Sequence, residues 1–71
     1  MGFTFWTKCG DRLRPGDVMI DWSITPMRSY KTYHLIVAIT DTRLATCRVH
    51  LLHVGGLESR IVWGHDAYEV L

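Results

Sequence analysis

The sequence predicts an all-β fold, a single small barrel domain of about five or six strands covering residues 1–71. Three observations lead there. The chain has 71 residues, 48% of them hydrophobic, which is one domain's worth and too apolar for disorder. Its apolar residues fall into short runs separated by glycine, proline and polar clusters. No segment keeps an i, i+3, i+4, i+7 apolar pattern with a cap and a stop, so no helix is expected beyond one short turn at "GHDAY".

Residues 3–6, "FTFW", are short, aromatic and strand-like. "TKCGDRLRPGD" is polar and ends on Pro15-Gly16, which suits a type II turn. "DVMIDW" alternates, with Val18, Ile20 and Trp22 on one face and Met19 between Asp17 and Asp21 on the other. "SITPMRS" is a loop, because Pro26 cannot donate to a ladder. "YKTYHLIVAIT" reads as a long strand that is apolar on both faces at its centre, hence central or sharply bent. "DTRLA" is a polar break.

"TCRVHLLHV" and "LESRIVW" are strands joined at Gly55-Gly56, where a tight hairpin of the primed-turn type is expected. In the second of them Leu57, Ile61 and Trp63 share one face, and Glu58, Arg60 and Val62 the other. "YEVL" is a short last strand. Period-two placement assigns the core to Val18, Ile20, Leu35, Val37, Ile39, Val49, Leu51, Ile61 and Val70. In so small a domain Trp22 and Trp63 are expected mainly in the core, although exposed tryptophans could stack bases.

Charge excludes little. Eight Lys and Arg against seven Asp and Glu leave a net +1, which provides no global attraction for nucleic acid but permits a local basic patch. No apolar run reaches the ~18 residues of a membrane helix. "MGFTFWTKCG" lacks the basic start and long apolar centre of a signal peptide. The two cysteines, Cys9 and Cys47, could form one disulfide but not a disulfide framework, and free thiols in a cytoplasmic protein are expected.

The stretch "CRVHLLH" invites a metal site, since zinc takes Cys and His at short spacing. Strand geometry argues against it. Successive side chains alternate, so His50 points away from Cys47 and His53. Cys47 and His53 share a face but stand roughly 20 Å apart at ~3.3 Å per residue. The expectation is therefore ordinary strand histidines, with no metal and no cofactor. Asp17 and Asp21 lie roughly 13 Å apart on a strand, too far for a glycosidase pair. "VGGLES" lacks the lysine and spacing of a phosphate loop. No catalytic residue is assigned.

The "LRPGDVMIDW" opening and the "IVWGHDAYEVL" ending resemble short SH3-like barrel proteins encoded by phages. Two stretches also look Sm-like. Sm proteins carry Asp-x-x-Met-Asn in a loop, and "DTRLA" matches it at Asp41 and Leu44 but has Ala45 for the Asn. They carry a basic residue and Gly before the last strand, and "WGHD" keeps Gly64 but has Trp63 for the basic residue. The pattern spans roughly residues 13–71. The resemblance implies a homo-oligomeric ring that binds single-stranded RNA on its inner loops, with Asp41, Arg43, Gly64 and His65 near the pore; single-stranded DNA is a further possible partner. Ala45 removes a base-reading amide, so contact is expected through stacking and charge at Trp63, His65 and Arg43 rather than uridine-specific readout.

A barrel surface that binds another protein, as a phage accessory or structural component, is the second expectation. A small SH3-like barrel ribonuclease is the third. The host cytoplasm is the expected location for a phage-encoded chain.

Overall fold

The structure, a computed structural model, describes residues 2–5 and 13–71. It is all-β: β1 (Gly2–Phe5), β2 (Val18–Ile24), β3 (Ser29–Thr40), β4 (Thr46–His53), β5 (Gly56–Trp63) and β6 (Ala67–Val70). All pair antiparallel in one sheet of order β1-β6-β2-β3-β4-β5. The expected strand at Trp6 and the polar stretch around Cys9 lie outside the described residues. No described helix is long and apolar enough to cross a membrane.

Turn chemistry sets the connections. Pro15-Gly16 forms the expected turn: Asp17 N–H donates to the Arg14 carbonyl at 3.0 Å, and Gly16 takes φ +99°, as the third position of a type II turn requires. Pro26 sits in the β2–β3 loop, closed by Thr25 and Arg28. Asp41 ends β3 at φ 52°, a left-handed conformation that aspartate tolerates better than most residues.

The β4–β5 hairpin forms, but its turn lies one residue earlier than expected. His53 pairs with Gly56, so Val54-Gly55 are the turn residues, and the positive φ of +120° belongs to Gly56. The turn is thus not of the primed type, which needs positive φ within it; a glycine immediately after it restores the strand direction. Gly56→Val is expected to cost about 1–3 kcal/mol, because a β-branched residue is strained at that φ. Gly55→Val should cost less. Urea unfolding of the two variants checks the order, and equal losses would place the strain elsewhere.

The sheet curls strongly. β2 and β5 are separated by two strands, which in a flat sheet puts them ~14 Å apart. Even so, both terminal guanidinium nitrogens of Arg60 on β5, Nη1 and Nη2, donate to the Asp21 carboxylate on β2, at 3.1 and 2.9 Å. The curl does not become a closed ladder among the described strands. The four-residue β6 registers with β2 at Met19 and Ile20 and with β1 along its length, while β5 registers with β4.

The core fills the concave face: Leu13, Met19, Ile36, Cys47, Val49, Leu51 and Val62 are buried, with Ile39, Tyr68 and Val70 packed against them. Three expectations from alternation need correction. In β3 the register shifts between Ile36 and Ala38, and this bulge exchanges the faces. Ile36 is inside before it and Ile39 after it, while Leu35 and Val37 are exposed. In β5 the inward residue is Val62, not Ile61. The pairs Cys47↔Val62 and Val49↔Arg60 put the even-numbered residues of β5 on the core face. In β2, Met19 joins the core beside Asp21. Ile20 is buried as well, outside that cluster.

Trp22 and Trp63 are not core residues; they are 54% and 51% exposed. The free-thiol expectation also fails, since Cys47 is disulfide-bonded and buried. The chain's other cysteine is Cys9, outside the described residues. A small domain gains from such a covalent tie what its thin core lacks.

Candidate functional site

At one end of the sheet the loop at residues 41–45 meets the turn between β5 and β6. One hydrogen bond joins them, from Gly64 N–H to the Ala45 carbonyl at 2.7 Å, and a second, from Arg43 N–H to the Thr46 carbonyl at 2.8 Å, closes the loop itself. Thr46 is in turn paired with Trp63. The structure therefore gathers the segments carrying Asp41, Arg43, Trp63, Gly64 and His65, which are distant in sequence, at one end of the fold. Gly64 is buried beneath the turn and supplies backbone rather than a contact surface.

Two features of this end are available to a ligand. Trp63 and His65 form an exposed aromatic pair, ring centroids 5.7 Å apart and planes tilted by 40°. Beside them lies a cleft of about 260 Å³ lined by Asp41, Arg43, Thr46, Cys47, Arg48 and Ile61. Arg48, which the sequence does not single out for this loop, reaches it because it pairs with Ile61 and Thr40 and so shares their face. Its Nε lies 3.4 Å from Asp41, an exposed pair that contributes little to stability. Asp66, 3.3 Å from His65, adds a second carboxylate. Arg43 and Arg48 against Asp41 and Asp66 leave this end close to neutral, so charge alone would hold a polyanion weakly. Asp66 also receives the Tyr68 hydroxyl at 3.3 Å; burial first, and then this carboxylate, raises the Tyr68 pKa.

The opposite end of β4 carries a second polar group, on the concave face. Arg60 donates bidentately to Asp21 and also to Glu58 Oε2 at 3.0 and 3.2 Å. The hydrogen bond to Asp21, then the one to Glu58, raises the Arg60 pKa against the opposing effect of burial. Asp21 Oδ2 is also 3.1 Å from Nε2 of the buried His34, which lies 3.1 Å from the Thr32 hydroxyl too. His53 meets His34 edge to face at 5.2 Å.

Sequence reasoning missed this group. The expected core puts Ile61 inside, and so places Glu58 and Arg60 on the face away from it. The group's meeting depends on pairing across four strands. The one available signal was the strict alternation of Glu58, Arg60 and Val62, which puts charge and a core residue on the same face. His50 does point away from Cys47 and His53, as expected; its ring nitrogens engage Thr40 at 2.7 Å and Ser59 at 2.9 Å. Comparison with protein-family models, curated proteins and solved structures finds no match.

Proposed function

We propose that the chain is a non-enzymatic small-barrel module that binds single-stranded nucleic acid, RNA foremost, where the 41–45 loop meets the β5–β6 turn. The observation that carries this reading is the exposed Trp63–His65 pair beside a cleft lined by Arg43 and Arg48. Aromatic faces stack on unpaired bases whatever their identity, and arginines track the phosphates. The resemblance to SH3-like and Sm-like proteins of phage type belongs to this proposal, as does assembly into a homo-oligomer. Repetition around an axis would multiply a weak site. The cytoplasmic expectation loses the support it drew from free thiols, because Cys47 is bonded.

Fluorescence anisotropy of labelled oligouridylate and oligothymidylate tests the reading. With two arginines engaged, log affinity should fall with log salt at a slope of about −1.4. Trp63→Ala should weaken binding by about 1–3 kcal/mol without changing that slope. Salt-independent binding, or a Trp63→Ala variant that binds as well as the parent, would remove the proposal. Sedimentation of the free protein checks the oligomer.

One observation favours a second reading, a protein-binding module. On the convex face Leu35 pairs with Leu52 and Leu52 with Leu57, so three exposed leucines form a row across β3, β4 and β5. Binding through such a row would be insensitive to salt.

A further inference from the structure

We propose that His34, His53 and Glu58 form a binding site for one divalent transition-metal ion of the zinc class, on the concave face at the β4–β5 hairpin end. Each residue offers one ligand atom, and the three atoms lie within 4.8 Å of one another. Tetrahedral ligands at zinc's usual bond lengths stand ~3.4 Å apart. The His53 Nε2 to Glu58 Oε1 distance is already 3.7 Å. Only a small inward movement is needed, and His53 and Glu58 are half-buried rather than locked in the core.

The second observation is independent of this clustering. His34 is buried to all but 7% of its surface, and its Nδ1 has no hydrogen-bond partner among the described residues. A buried polar nitrogen left unpaired is costly and calls for an explanation. Its other nitrogen explains the arrangement. With the proton on Nε2, His34 donates to Asp21, which leaves the Nδ1 lone pair uncommitted and available to a metal. A carboxylate behind a metal-bound imidazole fixes its tautomer and raises its basicity. Asp21 is itself held by Arg60.

Glu58 is divided in the same way: Oε2 accepts from Arg60, and Oε1 faces His53. With both imidazoles neutral, Asp21, Glu58 and Arg60 sum to one negative charge, which favours a cation. Two imidazoles and one carboxylate suit zinc, cobalt or nickel rather than magnesium or calcium.

One existing contact must yield. His53 Nδ1 accepts the Gly55 N–H at 3.1 Å, so in the free protein its proton sits on Nε2. Coordination by His53 breaks that bond, whichever nitrogen binds. The Gly55 donor is at an exposed turn, where water replaces the lost partner. Three protein ligands leave a coordination position open, and the adjoining pocket of about 260 Å³, lined by Thr32, Tyr33, His34, His53 and Val54, has room for water or a small anion there. The site is separate from the proposed nucleic-acid end, since β4 runs ~23 Å from Thr46 to His53.

The test is calorimetric titration of the purified chain with zinc chloride at neutral pH, supported by cobalt absorption spectra and by nitrogen NMR of the imidazoles. The parent should bind one equivalent. His53→Ala and Glu58→Gln, both at half-buried positions the fold can spare, should weaken binding by roughly 10-fold or more, and Asp21→Asn by roughly 10–100-fold. His50→Ala, on the other face, should bind as the parent does. The His34 Nδ1 resonance should move on titration. No binding by the parent, an unmoved His34 Nδ1, or undiminished binding by both His53→Ala and Glu58→Gln would each overturn the proposal.

Discussion

Ile36→Ala is expected to cost about 2–5 kcal/mol, and Val37→Ala, one residue along, well under half of that. Ile36 is fully buried against Met19, Val49 and Leu51, while Val37 lies on the opposite face at 42% exposure. The loss at Ile36 combines removed apolar surface with a cavity that a thin core cannot collapse around. A domain of this size has only about 5 kcal/mol to lose, so the variant should melt far below the parent or not fold at all. The same contrast is expected for Val62→Ala against Ile61→Ala. Thermal melts of the four variants decide it. If Val37→Ala proved the more damaging of its pair, the bulge between Ile36 and Ala38 would be misplaced.

Reduction of the Cys47 disulfide is the second large effect. Opening a native disulfide in a small domain costs about 2–5 kcal/mol, partly through the freedom it restores to the unfolded chain. Cys47 is 2% exposed and lies within the core cluster, so the bond also sits where reductant enters poorly. The expected result is a melting temperature that drops sharply in reductant, and an intact mass that rises by two hydrogens once the unfolded protein is reduced. Equal melts with and without reductant, together with an unchanged mass, would show that Cys47 is a free thiol.

The six strands were legible because their punctuation is local. Pro15-Gly16, Pro26 and the glycine pair at 55–56 mark turns through backbone sterics that no tertiary contact needs to supply. The proposed nucleic-acid end was partly legible: Asp41, Arg43, Trp63, Gly64 and His65 fall in two loops that the sheet order brings together. Arg48 was not, because its place depends on pairing with Ile61. Cys47 shows the same limit. Two cysteines in a sequence admit both a bond and free thiols, and only their placement decides between them.

Residue pattern alone predicted five or six strands, their order along the chain, no helix beyond one short turn and the approximate places of the turns, since each rests on propensities within a few neighbouring residues. Tertiary structure decided which face of each strand is inside. Alternation divides a strand into two sets but does not say which set is buried, and a single bulge in β3 exchanges them. It also decided the chemistry of the concave face. Asp21, His34, His53, Glu58 and Arg60 come from four strands and meet only because the sheet curls until β2 and β5 touch. A contact made through curvature across two intervening strands has no short-range signal, because the residues that create it are spread over 40 positions of chain and none needs the others locally.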